Sequence, residues 1–351
     1  MPCSMKGEGC DVSRVNPVPP VFIIISLLAL YFSGLSPSFV CGEVITRFIR
    51  NGIIVLALII PITAGMGLNF AITVGALAAQ VGLILAVDYG LQGPVGLVAI
   101  SIAGVGLSLV AGYLIGRGLN RVKGKEMIAT IIIGFLATGI YQLIFLVGYG
   151  TVITPKNEDM MLSRGIGIRN MVDLEPFRNI IDRIWVFKAG TVEFPLFMIL
   201  VVLLFAGIVA YIMNTRLGQQ FKIVGEGIEK AEILGINADS VRIKAIMLST
   251  VLACLGQIIF MQNIGMLNVY TAHLNSDIFA CAAILAGGAS IRRAHVGHAL
   301  LGILLFHSLF IVSPQAGQNM FSNAALGEYF RTFVAYGTIA FALVMSTRRR
   351  T

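Results

Sequence analysis

Charge is scarce in this sequence. Only 12% of its 351 residues are Asp, Glu, Lys or Arg, against about 25% in a soluble domain. That scarcity excludes an ordinary soluble fold. Strict polar–apolar alternation is missing as well, and the apolar runs are continuous, so a β-barrel is not expected. None of the five cysteines, Cys3, Cys10, Cys41, Cys254 and Cys281, forms a CxxC, which argues against a disulfide framework or a zinc site. His295 and His298 stand as HxxH beside Arg292 with no carboxylate near, so no metal is expected. There is no GxxxxGK[ST] nucleotide motif. Ser, His and Asp form no grouping that points to hydrolysis. No enzyme activity and no cofactor follow from these residues.

What is present is apolar length. The composition is 57% hydrophobic, and the net charge is +8. Nucleic acid is not needed to explain that charge, because basic residues hold loops in the cytoplasm. The expected fold is an all-α polytopic membrane protein in a lipid bilayer, with about ten membrane segments at about 20 residues each. The first runs from Pro20 to Val40 and is read as retained rather than cleaved. The next stretch, Ile53 to Val87, is 35 residues without a charge. At about 1.5 Å per residue that is too long for one crossing. Pro61, Gly65 and Gly67 mark where it folds back, giving segments Ile53–Gly65 and Leu68–Val87. The others are Pro94–Ile115, Met127–Val147, Phe194–Met213, Ile246–Met266, Ile278–Ile291, Val296–Val312 and Thr332–Ser346. The small residues Gly104, Gly106, Gly112 and Gly116 permit close helix approach.

With both termini cytoplasmic, 16 of the 25 Lys and Arg residues fall on the inner side. The long polar loop then lies outside. In each half a normal span leads into a broken or short one: Ile53–Gly65 with Leu68–Val87, and Ile246–Met266 with Ile278–Ile291. Paired interruptions of this kind point to a transport pathway. Five crossings per half would make a repeat between the halves inverted.

One charged stretch stands between two apolar runs: VGEGIEKAEILGINADSVRIKA, residues 224–245. Its charges are too costly for hydrocarbon, so it sits in water. Ile228, Ala231, Leu234 and Ile236 recur near helical spacing, and Glu226, Glu229, Lys230 and Glu232 make a polar side. This reads as a cytoplasmic amphipathic helix that docks a soluble partner; the alternative is a helix lying on lipid.

Polar residues inside the spans are the candidates for a solute path. Asn69 and Phe70 open the third segment and Gln80 follows. Gln257, Phe260, Gln262 and Asn263 lie in the seventh. Amides meet hydroxyls, and aromatics cover the C–H face of a sugar. The competing role is tying helices together. Asn69 leans toward the path, since it sits at the break. His307 reads as a packing residue, and Trp185 as an interfacial anchor or a partner contact.

The segment GQQFKIVGEGIEKAEILGINADSVRIKAIMLSTVLACLGQIIF resembles permease subunits of bacterial ABC importers for simple sugars and branched-chain amino acids. The pattern rests on Gly218, Phe221, Gly225, Ala231, Glu232, Gly235, Ile236 and Gly256. GMGLNFAITVGALAAQ (65–80) and LAGGAS (285–290) are similar to further family motifs, although Arg292 and Arg293 stand where a Gly-rich element usually follows. The resemblance implies a single transmembrane permease domain over 1–351. It has a cytoplasmic segment 1–19, an extracytoplasmic loop 151–191 and a cytoplasmic coupling segment 214–245. It further implies a cytoplasmic ATP-binding subunit, a second permease subunit and an extracytoplasmic substrate-binding protein. Coupling to the ATPase would fall on Gly225, Glu226, Glu229, Lys230, Glu232 and Gly235, with Gly225 and Gly235 turning the chain at the helix ends.

A simple sugar leads as substrate, followed by a branched-chain amino acid and then a nucleoside. An ion-coupled secondary transporter is the alternative of another class. It would normally carry charged residues inside its spans, and the spans as drawn hold none. The expected location is the bacterial cytoplasmic membrane.

Overall fold

Ser36 and Pro37 decide where the second helix begins. In a computed structural model of the chain, which describes residues 17–163 and 165–348, α1 runs Val18–Ser33 and stops at Gly34 in the left-handed conformation. Helix α2 then starts at Pro37, with the Ser36 hydroxyl accepting from the Phe39 N–H. The segment expected over Pro20–Val40 is therefore two helices. The one expected over Ile53–Gly65 is the far part of a longer rod, α2 (Pro37–Leu56) continued by α3 (Ile59–Thr63). That rod carries Glu43, Arg47 and Arg50, so the expectation of charge-free spans fails here. Residues 1–16, most of the expected 1–19 segment, lie outside the described residues, as do Cys3, Cys10, Arg349 and Arg350.

The remaining helices follow the apolar runs. They are α4 (Ile72–Asp88), α5 (Gly93–Leu119) and α6 (Glu126–Leu143), the last extended by a π-turn to Gly148. After the outer loop come α7 (Leu196–Asn214), α8 (Arg216–Glu226), α9 (Ile228–Ile233) and α10 (Ala238–Ile264). The chain ends with α11 (Ser276–Ala286), α12 (Val296–Phe321) and α13 (Ala324–Arg348). Among the described residues, 6 helices are long and apolar enough to cross a membrane, with α1, α4 and α11 shorter.

The extramembrane parts are not purely helical. Strand β1 (Met171–Asp173) pairs antiparallel with β4 (Met266–Asn268), placing Val172 opposite Leu267. Strands β2 (Val186–Ala189) and β3 (Val192–Pro195) form a hairpin. The β1–β4 pair straps the long loop before α7 to the end of α10.

Helix α10 is the centre of the bundle. A β-carbon on Gly112 of α5 would come within 2.3 Å of the Thr250 hydroxyl, and one on Gly116 within 2.8 Å of the Ile243 α-carbon. Small residues thus let the α5 backbone seat directly on α10. Gly104 does the same against Cys254, whereas Gly106 faces open space. Helix α11 is buried through its last two turns and meets α12 backbone to backbone, through Gly287 and Gly302. Helix α6 lies at the periphery with Phe135 exposed.

Candidate functional site: a coupling segment and an intramembrane cavity

The charged stretch forms two short helices rather than one. Thr215 caps α8 by accepting from the Gly218 N–H. Phe221 and Val224 are buried beneath it, and Ala231 is buried beneath α9. The break between α8 and α9 falls at Gly227, and Gly235 (φ 72) ends the second helix. The turn expected at Gly225 therefore falls two residues later, at Gly227. Gly225 lies inside α8 and is small for another reason: a β-carbon there would fall 2.0 Å from the Thr63 carbonyl oxygen. Gly65 closes the same contact from the other side, with the Gly225 α-carbon 2.8 Å from where its own β-carbon would be. The break after α3 is thus seated on the end of α8.

Glu226, Glu229, Lys230 and Glu232 are exposed. So are Ile233 at 85% and Leu234 at 64%, although the periodicity placed Leu234 on the buried side. Two large apolar side chains at the tip of a charged segment leave a surface fit for a protein partner.

The start of α10 is fixed just beyond that tip. Arg242 donates to Glu126 at 2.6 Å and to the Asn120 side-chain oxygen at 2.9 Å. Asn120 in turn donates to the Asp239 carbonyl at 2.9 Å. These bonds tie the α5–α6 turn to the start of α10.

The intramembrane amides are not gathered in one place. Asn69 is buried, donates to the Ser249 hydroxyl at 3.3 Å and accepts from the Ala71 N–H at 3.1 Å. Asn263 sits some fourteen residues further along α10 than Ser249, about 21 Å at helical rise. There it accepts from Arg50 and donates to Asp182 of the outer loop. Burial raises the Asp182 carboxyl above the usual range, against the lowering pull of Asn263 and Arg50. Gln262, with its carbonyl turned to the loop, accepts from the Asn179 and Ile180 N–H groups at 3.0 Å. Asn263 and Gln262 thus hold the outer strap. Phe260 packs in the core beside α4 and α5.

Gln80 and Gln257 converge on one segment, the connection from β4 to α11. Gln80 meets the His273 ring at 3.3 Å, and Gln257 donates to the Ala272 carbonyl at 3.3 Å. That segment forms one wall of a cavity of about 420 Å³. Phe70, Thr73, Phe135, His273, Asp277 and Tyr336 line it. Its volume is within the ordinary range for small-molecule sites. Of the sequence candidates, Phe70 faces the cavity directly, and Gln80 and Gln257 support its wall. His273, Thr73 and Asp277 are additional. For His273 and Asp277 the signal is the mainly polar run His273–Asp277 between two apolar stretches. Among the described residues, no Lys or Arg lines the cavity.

The family described as "Branched-chain amino acid transport system / permease component" matches residues 40–343. The chain belongs to that family. It is an ABC-type permease, a multi-pass protein of the cytoplasmic membrane and not a member of a catalytic enzyme family.

Curated relatives of this permease include the autoinducer 2 import system permease protein LsrC of Yersinia pseudotuberculosis serotype O:1b. It is 26% identical over 206 residues, covering 58% of this chain and 55% of LsrC. The LsrC of strain YPIII is 35% identical over 78 residues, or 22% of each chain. The high-affinity branched-chain amino acid transport system permease protein BraD of Pseudomonas aeruginosa is 24% identical over 149 residues, covering 42% of this chain and 44% of BraD. The chain spans about half the length, or less, of these relatives. No solved structure matches.

Proposed function

We propose that this permease is the membrane subunit of an ATP-driven importer for a small, neutral, hydroxylated solute of the simple-sugar class. The observation that carries the transport reading is the α8–α9 segment. Its exposed Ile233 and Leu234 offer a foothold to a cytoplasmic ATP-binding subunit, and its Gly225 rests on the broken span. Motion imposed on α9 would pass to the break at Gly65–Gly67. Gly225, Glu226, Glu229, Lys230, Glu232 and Gly235 are the proposed coupling residues. A second permease subunit would complete the pore, and an extracytoplasmic binding protein would deliver the solute. About ten crossings with both ends cytoplasmic, the halves related by an inverted repeat, complete the scheme.

The cavity supports the solute class. Asp277 and Thr73 offer acceptors to hydroxyls, while Phe70, Phe135 and Tyr336 offer ring faces to C–H groups. The carboxylate of an amino acid would need a cation, and the lining has no Lys or Arg. Asn69, Gln80 and Gln257 act by fixing the helices around the cavity, and Phe260 and Asn263 by holding α10 beside it. The likeness to BraD keeps a branched-chain amino acid as the second reading.

The test is uptake into vesicles holding the permease with its ATPase and binding protein, across a panel of sugars, amino acids and nucleosides. A sugar is expected to be taken up with ATP consumption. Asp277→Asn is expected to lower its uptake while ATPase assembly persists. ATP-dependent uptake of leucine but no sugar would overturn the solute class, and uptake without an ATPase would overturn the mechanism.

A further inference from the structure

A second and larger cleft opens on the side of the chain that carries α8 and α9. Its volume is about 930 Å³. By the distribution of basic residues this is the cytoplasmic side. Four cations border the cleft: Lys222 of α8, Lys230 of α9, and Arg292 and Arg293 of the α11–α12 turn. Among the described residues, Glu226 is the one acid on its lining. Among the described residues, none of the four cations takes part in an ion pair. The two arginines are held at the rim by their backbone, since the N–H groups of Arg292 and Arg293 both donate to the Ser290 hydroxyl, at 3.4 and 3.1 Å.

Like charges repel, and four cations around one cleft, none in an ion pair among the described residues, favour an anion supplied from outside. Thr63, Asn214 and His295 add polar groups to the lining, and its apolar part says what kind of anion. Ile59, Ala210, Met213 and Val296 belong to the ends of apolar helices. The cleft is therefore basic at its rim and apolar towards the membrane interior. A soluble anion would leave that apolar part unfilled, and an acidic protein segment would have to enter lipid depth to fill it. The inner leaflet is rich in lipids that are anionic at one end and apolar at the other. The first turn of α12, at Val296 and Gly297, borders the cleft, and a helix start adds to the preference for a negative group.

We propose that this cleft binds an anionic phospholipid of the inner leaflet, its phosphate between Lys222 and Lys230 on one side and Arg292 and Arg293 on the other. The lipid would bridge the α8–α9 segment to the α11–α12 turn. The permease would then be tuned by the charge of its own membrane, through a ligand that is never transported.

The test uses the full-length permease in mild detergent, with lipid binding read by native mass spectrometry. Phosphatidylglycerol is expected to remain bound where phosphatidylcholine dissociates. Each removed cation is expected to weaken phosphatidylglycerol binding by about fivefold. Arg292→Gln with Arg293→Gln should therefore weaken it by about 25-fold. Lys222→Gln, on the opposite wall, should weaken it about fivefold even if the arginine pair disturbs the turn. Arg216→Gln lies outside the cleft and should change nothing. Equal retention of the two lipids would overturn the proposal, as would an equal loss with Arg216→Gln. Displacement of the lipid by millimolar inorganic phosphate would assign the cleft to a soluble anion instead. A photo-crosslinker at Arg293 in the assembled transporter should label lipid; labelling of the ATPase alone would make the cleft a protein contact.

Discussion

Gly65 and Gly225, 160 residues apart in sequence, touch backbone to backbone: a β-carbon on Gly65 would lie 2.8 Å from the Gly225 α-carbon. Two glycines at one contact mean that no side chain, and so no compressible cushion, separates the broken span from the charged segment.

Gly225→Ala tests this contact through the sign of its effect. In a free helix the change stabilises by about 1 kcal/mol. Here the added methyl meets the Thr63 carbonyl, and overpacking costs about 1–3 kcal/mol. The melting temperature of the permease in detergent should fall, and coupling of ATP hydrolysis to uptake should fall with it. A rise in melting temperature would show that the contact opens freely.

The Arg242–Glu126 pair should behave as a buried ion pair, since the two side chains are 3% and 9% exposed. Arg242→Ala should destabilise by about 3–5 kcal/mol, because it leaves a carboxylate unpaired. Arg242→Met combined with Glu126→Leu should recover at least half of that loss. The measurement is denaturant unfolding in detergent. A double variant no better than Arg242→Ala would place the stabilisation in the bond to Asn120 instead.

The outer strap should tighten on acidification. The Asp182 carboxyl is raised in the folded protein, chiefly by burial, above its unfolded value. For an acid shifted in this direction, its stabilising contribution is full below the unfolded value and is lost as pH rises through the folded value. The Oδ1 of Asp182 has no partner, so a proton there breaks no existing bond. Hydrogen exchange over residues 175–185, corrected for intrinsic rates, should slow as pH is lowered from neutral towards that range. Asp182→Asn should flatten the dependence. Unchanged pH dependence in the variant would remove Asp182 from the explanation.

Cysteines placed at Lys156 and at Glu229, both exposed, should label from opposite faces of the membrane with an impermeant reagent. Labelling from one face would invert half of the proposed topology.

Much of the bundle was legible in the apolar runs, because continuous apolar length reports a span directly. The helix start at Pro37 was less so. Glu43, Arg47 and Arg50 argue locally for a loop, and they are tolerated in a helix because Arg50 finds Asn263 and Asp182 far along the chain. Pairing at that distance leaves no local trace. Gly225 shows the same limit: its smallness is visible in the sequence, but the neighbour that requires it is not. The amides were legible as buried polar groups, and the fold assigns most of them to neighbours. Polar residues between two spans read as loop, and so His273 and Asp277 become visible as cavity residues only once α11 is seen packed behind them.

Helix α10 is anchored near one end by Arg242 and near the other by Asn263 and β4, with about 32 Å of unbroken helix between Arg242 and Asn263. A rod pinned at both ends offers a physical link between the two anchors, and any coupling it carries is reciprocal. Whatever free energy a ligand at the outer strap confers on the Arg242 end, a ligand at that end must return to the strap in equal measure.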